Sequence, residues 1–366
     1  GPRAGTRPLA IGSAMTAPTV SPATVTPAVL LAGLDQQALL AIAMRVARQE
    51  SFEVATIHLH RAIQGCRGYS GMTCIVSVQY RSGNSVGWVD LLLKWSFSDH
   101  GESALYPLLQ AQRAPVPRLE GTLELSNEPA GGNREVMVFE YLPHIGHDRR
   151  DRPALAATLG RFHAMPVEPF AQLRAREFRA DVPAWLKIWQ EIQMHGLHGD
   201  LGEAIGELCR RERQVWDRYP QFLERSLLAA DGAARGVVHR DVSPQNTGWR
   251  QERSELLLFD VPQMSLGPLA LDCLELLPED EPFDEGLARC YLESLHRHGG
   301  RIQQLAELRR TVEVLRPLKR ISFYAWALWK SLTGAVDWTT DIEEGKRAYR
   351  SGLLASLTRT VRDLHG

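Results

Sequence analysis

The chain has 366 residues, 44% hydrophobic and 23% charged, with a formal net charge of −1. That length can bury one large core or two domains, and the near-neutral balance excludes a global field that would favour nucleic acid or anionic lipid. The five cysteines (Cys66, Cys74, Cys209, Cys273, Cys290) are scattered and form no C-x-x-C pair, which argues for a reducing, cytoplasmic compartment and against a zinc site or disulfide frame.

Residues 1–27 are rich in Pro, Ala, Thr, Gly and Ser, lack periodicity, and read as a flexible leader. Gly1-Pro2 looks like a protease-cleavage remnant of a tag and Met15 like a natural start. A signal peptide is the rival reading, but its apolar core is too short and too rich in proline. Asp35, Gln36 and Gln37 interrupt the best candidate for a bilayer span, so no membrane association is expected. From Val29 to Gln49 apolar residues recur at helical spacing. Strand-like runs follow over Glu53–Ile63, Thr73–Tyr80, Trp88–Phe97, Arg118–Leu125 and Glu135–Leu142, with a short helix, Gly101–Gln112, inserted among them. Turn chemistry at Gly65–Gly71 and at Arg81–Asn84 separates the first three strands, which predicts a small antiparallel sheet over residues 28–142.

Past a joint at Pro143, Gly146 and Asp148–Arg152 the pattern turns helical over residues 143–366. The predicted helices are Pro153–Ala164, Pro183–His195, Glu203–Leu228, Phe283–His298, Ile302–Leu315, Leu318–Leu332 and Asp341–Leu364. The only strand signals in this half flank the loop His239-Arg240-Asp241-Val242-Ser243-Pro244-Gln245-Asn246, with Val237-Val238 before it and Leu256–Phe259 after, ending on Asp260.

That loop matches the H-R-D-x-x-x-x-N pattern in its fixed positions. Phosphoryl transfer needs this set of groups. Asp241 can accept a hydrogen bond from an attacking hydroxyl, and Asn246 and Asp260 offer hard oxygen ligands to Mg2+ on the phosphates of ATP or GTP. Lys94, ending the apolar run Leu91-Leu92-Leu93, can reach nucleotide phosphates if Glu102 on the next helix holds it; the alternative is an exposed lysine closing a strand. In the Gly65–Gly71 turn, Ser70 and Gly71 are candidates to point backbone N–H groups at phosphate, although an ordinary hairpin turn has the same composition. The strand ending at Leu142 is expected to form the cleft floor. The backbone of Glu140 and Leu142 would meet the base edge and Phe139 would close the back, although a purely structural strand fits the same residues. His198-Gly199-Asp200 imitates the loop but has Ile205 where a metal ligand is needed, so it is expected to be an inter-helix turn. His163 reads as a packed or capping histidine, and His58 with His60 lacks the support a metal site needs.

With these residues in place the chain resembles the aminoglycoside phosphotransferase and choline kinase family, small-molecule kinases with a protein-kinase-like fold. The matching residues are Lys94, Glu102, Glu140-Tyr141-Leu142, Leu159–His163, His239–Asn246, Phe259-Asp260, Gly267-Pro268 and Asp272. The resemblance runs from about Val29 to the last helix. It implies an α+β bilobal fold with a β-sheet N-lobe and a helical C-lobe carrying the substrate site. It makes Asp241 the catalytic base, Asn246 and Asp260 the magnesium ligands, Lys94 with Glu102 the phosphate clamp, and Asp272 a structural acid under the catalytic loop. Two departures stand out: Arg240 where many members have glycine, and Val261-Pro262-Gln263 where an aromatic residue and then an acid are common. Only six residues separate Asp260 from Gly267, which leaves no room for the peptide-docking segment of a protein kinase.

The acceptor is expected to be a hydroxylated small molecule, aminoglycoside-, amino alcohol- or natural-product-like. Glu279-Asp280-Glu281 with Asp284-Glu285, and the aromatic residues Phe323, Tyr324, Trp326, Trp329 and Trp338, would suit a cationic amine. A solvated acidic loop and an aromatic core stripe fit the same residues. A catalytically silent nucleotide-binding scaffold is the alternative function; the complete Lys94, Asp241, Asn246, Asp260 set argues for the enzyme.

Overall fold

The computed structural model describes residues 27–62, 71–96, 101–125, 134–176, 182–277, 281–316, 319 and 342–365. The expected helix over Val29–Gln49 is two helices, α1 (Pro27–Gly33) and α2 (Gln36–Ala47). The break falls at Asp35, whose carboxylate accepts the Ala38 N–H at 3.1 Å and caps α2. Strands β1 (Val54–Ala62), β2 (Gly71–Ser82), β3 (Ser85–Ser96), β4 (Leu119–Glu124) and β5 (Glu135–Glu140) form an antiparallel sheet in the order β1-β2-β3-β5-β4. The β2–β3 hairpin turns on Gly83-Asn84 with Gly83 at φ +59°, and a positive φ at the first turn residue matches strand twist.

Period-two alternation explains where β3 sends its side chains. Leu91, Leu93 and Trp95 pack with Leu39, Ile42 and Ala43 of α2. Leu92 faces the other way and joins the core that runs on into the helical lobe through Leu105, Tyr106, Phe139 and Leu142. A sheet covered on both faces reads as a continuous apolar run, and Leu91-Leu92-Leu93 is that run. Lys94, two residues on from Leu92, therefore shares the face turned toward the helical lobe. Between β3 and β4 lies α3 (Glu102–Ala111).

The helical lobe contains α4 (Arg152–His163), α5 (Val182–Leu197), α6 (Glu203–Arg211), α7 (Arg213–Asp231), α8 (Ala270–Leu276), α9 (Glu285–Arg297), α10 (residues 305–316) and α11 (Ile342–His365). The periodic stretch 203–228 is broken at Glu212 into α6 and α7. There Trp189 stacks on Tyr219 at 3.7 Å and lies 4.1 Å from Trp216, tying α5 to α7. Short strands frame the HRD loop: β6 (His144–Ile145), β7 (Arg235–Val238), β8 (Thr247–Trp249), β9 (Leu256–Leu258) and β10 (Ser265–Pro268). β7 pairs antiparallel with β10, and β8 with both β6 and β9. Their three- and four-residue lengths make β8 and β10 hard to see in a sequence. The helix expected over 318–332, apart from Lys319, and the five late aromatic residues lie outside the described residues. Among the described residues no helix is long and apolar enough to cross a membrane.

Candidate active site

Four elements converge beneath the sheet. Lys94 of β3 is 3% exposed, and its Nζ donates to both carboxylate oxygens of Glu102, at 2.6 and 2.7 Å, and to Asp260 Oδ1 at 2.6 Å. Burial alone would lower the Lys94 pKa; the carboxylates of Glu102 and Asp260 outweigh it and raise the pKa, so the ammonium stays charged. Glu102, in the first turn of α3, also accepts Ser96 Oγ–H at 3.1 Å, Tyr106 O–H at 3.4 Å and the Val261 N–H at 3.3 Å. The bland reading of Lys94 as an exposed strand terminus is thereby overturned.

The HRD loop is anchored from below. Asp272 of α8, fully buried, accepts the His239 N–H at 2.6 Å and the Arg240 N–H at 2.7 Å, and its Oδ2 lies 2.9 Å from His163 Nε2. His163 in turn lies 2.9 Å from Tyr291 Oη. Burial would raise the Asp272 pKa, but the hydrogen bond and charge interaction with His163, joined by His239, hold it below the usual carboxylate value. Arg240 has φ +74°, a left-handed conformation in which glycine is unstrained. The backbone therefore has a reason to prefer glycine there, and the pair of N–H bonds to Asp272 holds the arginine in that shape.

The carboxylate of Asp241, beyond this anchor, belongs to an exposed residue. Its carbonyl oxygen accepts Asn246 Nδ2–H at 3.1 Å, and the Asn246 carbonyl accepts the Phe259 N–H at 2.9 Å. Asn246 is thus tied both to Asp241 and to the residue preceding Asp260. With its nitrogen engaged, the Asn246 amide offers its oxygen to a cation. Asp260 Oδ1 meets Lys94, and the Asp260 side chain is 18% exposed. One carboxylate and one amide oxygen fit Mg2+, which keeps waters and takes phosphate oxygens rather than a full protein cage. Among the described residues no group of three or more His, Cys, Asp or Glu side chains is placed to hold a metal ion.

Other candidates fall differently. Ser70 lies outside the described residues, and Gly71 opens β2, paired with Ser96. Glu140 cannot offer its N–H to a base edge, because that group donates to the Arg118 carbonyl at 2.9 Å. Its carboxylate is also engaged, by the Arg118 N–H at 2.8 Å and Arg250 Nη2 at 2.7 Å. The Leu142 side chain is fully buried and Phe139 lies behind, edge-on to Tyr106 at 4.7 Å. His198-Gly199-Asp200 is the turn between α5 and α6, with Asp200 bonded to His195 at 2.8 Å. Glu279 and Asp280 lie outside the described residues. The remaining acids have internal partners: Glu281 meets Arg152 at 2.6 Å, Asp284 caps α9 through the Leu287 N–H at 3.0 Å, and Glu285 pairs with Arg289 at 3.4 Å. These three acids therefore lend no support to a cationic pocket. Sequence reasoning missed Tyr106, although its i+4 spacing from Glu102 puts the two on one helix face.

This architecture is that of the small-molecule kinases with a protein-kinase-like fold. It is similar to a putative aminoglycoside phosphotransferase from Ralstonia eutropha JMP134, with 12% identity, TM-score 0.52, and 90% of this chain and 99% of that one covered. It is likewise similar to an ethanolamine kinase from Plasmodium vivax, with 10% identity, TM-score 0.51, and coverage of 88% and 89%. A spectinomycin phosphotransferase solved with ADP and spectinomycin aligns at 12% identity and TM-score 0.50, covering 88% and 98%. No curated protein matches the chain. The model of the phosphotransferase enzyme family matches residues 98–305, and the chain belongs to that family.

Proposed function

We propose that this protein is an ATP- or GTP-dependent O-phosphotransferase that moves the γ-phosphoryl group to a hydroxyl of a small molecule, aminoglycoside-, amino alcohol- or natural-product-like. The observation that carries this reading is the convergence of Lys94, Glu102 and Asp260 within 2.7 Å contacts, with Asn246 tied to the peptide beside Asp260. Residues 28–142 then form the nucleotide-binding lobe and residues 143–366 the lobe of the catalytic loop and acceptor. Lys94, held charged by Glu102, would neutralise the nucleotide's phosphates. Asp241 would take the proton from the acceptor hydroxyl as its oxygen bonds to the γ-phosphorus. The bond from that phosphorus to the bridging oxygen breaks, and the nucleoside diphosphate leaves. Mg2+, held by Asn246 and Asp260, would supply charge neutralisation on the transferring phosphoryl group.

Coupled nucleoside diphosphate release, screened over amino sugars, amino alcohols, macrolides and nucleosides, tests the proposal with Asp241→Ala as the blank. An acceptor-dependent rate that falls by at least about 100-fold in Asp241→Ala, with nucleotide affinity unchanged, is the expected result. Undiminished turnover in that variant would remove Asp241 from the chemistry.

A further inference from the structure

Asp260 has φ +65°, in the left-handed region that strains a residue bearing a β-carbon. Phe259 before it and Val261 after it are both buried, and the contacts around Asp260 come from distant segments of the chain. Three such contacts bear on it. Lys94 Nζ donates to the Asp260 carboxylate at 2.6 Å, the Asp260 N–H donates to the Tyr106 hydroxyl oxygen at 3.3 Å, and the Val261 N–H donates to Glu102 Oε1 at 3.3 Å. The last two come from one face of α3, because residues 102 and 106 are one turn apart. Tyr106 O–H donates back to Glu102 Oε1 at 3.4 Å, so Lys94, Glu102, Tyr106 and Asp260 close a ring of contacts.

The phenol suits this place. Its ring is fully buried and meets Phe139 edge-on at 4.7 Å. Its hydroxyl oxygen accepts the Asp260 N–H while its O–H donates to Glu102, so both capacities of the phenol are used. A residue that only filled space here would need the ring and not the hydroxyl.

We propose that Tyr106 is a positioning residue for the metal site: its hydroxyl holds the Asp260 peptide and so aims the carboxylate at a nucleotide-bound divalent cation. The placement of α3 then governs two things together, the lysine clamp through Glu102 and the metal-ligating acid through Tyr106. This inference rests on reading Asp260 as a magnesium ligand.

Fluorescent-ATP binding measured at rising Mg2+ concentration tests it without any acceptor. In the unaltered protein Mg2+ should strengthen ATP binding, and Asp260→Ala should abolish that enhancement. Tyr106→Phe keeps the ring against Phe139 and leaves the Asp260 N–H unpaired. It should raise the half-saturating Mg2+ concentration about fivefold, a larger change than any in Mg2+-free nucleotide affinity. Its thermal midpoint should stay within about 3 °C, which separates positioning from misfolding. If Tyr106→Leu folds and shows the same Mg2+ shift as Tyr106→Phe, the hydroxyl is the group responsible. A wild-type Mg2+ response in Tyr106→Phe, with Asp260→Ala defective, overturns the role of Tyr106 and leaves the metal site standing. No Mg2+ enhancement in the unaltered protein overturns both.

Discussion

Asp272 shows how much one side chain must be given before it can be buried as an anion. Its two oxygens accept two backbone N–H groups and meet a histidine ring. In Asp272→Asn one of those donors would face an NH2 group instead of an oxygen. The variant is expected to lose roughly 3 kcal/mol of stability, read from urea unfolding at neutral pH. The pH dependence follows from the lowered pKa. A carboxyl that ionises more easily when folded than at its unfolded value of about 3.9 stabilises the protein above that value. This contribution is lost as pH falls through the lower folded value, so the acid limb of the stability profile should be shallower in Asp272→Asn. An unchanged limb would show that Asp272 carries none of it.

Between elements, α4 packs closely on α9 at Gly160. A β-carbon on Gly160 would lie 2.5 Å from the Tyr291 carbonyl oxygen and 2.6 Å from Ser294 Cβ, and Ser294 Oγ already bonds the Ala157 carbonyl at 2.6 Å. Alanine in place of glycine inside a helix normally stabilises by about 1 kcal/mol. Here the two helices would have to separate, and Gly160→Ala is expected to destabilise by roughly 2 kcal/mol, measured by thermal or urea unfolding. The sign of the change decides the point: a stabilised Gly160→Ala protein would mean the helices do not meet there. Separation of α4 from α9 would also disturb His163, which reaches Asp272 from the end of α4 and Tyr291 on α9.

Across the whole molecule a chain of charges joins β5 to the helical lobe. Glu140 binds the Arg118 N–H and Arg250, Arg250 binds Glu255, Glu255 binds Arg161, and Arg161 Nη2 donates to the Arg113 carbonyl at 2.8 Å. Arg250 is partly exposed, so little stability hangs on it. Its place in the turn between β8 and β9, bonded to Glu140 at the end of β5, makes it a brace between the sheet and the helical lobe. Arg250→Ala is expected to raise the nucleotide KM about threefold at low ionic strength with little change in kcat, and the difference should shrink as salt screens the partners. Steady-state kinetics at two salt concentrations with the acceptor found by the screen checks this.

The loop His239–Asn246, the run Leu91–Lys94 and the apolar run Leu256–Phe259 before Asp260 were legible because local spacing alone prescribes what they are. Alternation places Lys94 opposite Leu93, and four residues of loop separate Asp241 from Asn246, whatever the rest of the chain does. The antiparallel sheet and most helices followed from period for the same reason. Contacts between distant segments were beyond the sequence. Asp35 and Glu212 break runs that remain periodic, β8 and β10 exist by pairing with other strands, and the N–H of Glu140 is taken by a residue 22 positions away. Local pattern determines which side chains share a face, since that depends on backbone geometry over a few residues. Which faces then meet depends on burial and hydrogen bonding summed over the whole chain, and only the tertiary structure decided that Lys94, Glu102, Tyr106 and Asp260 close one ring.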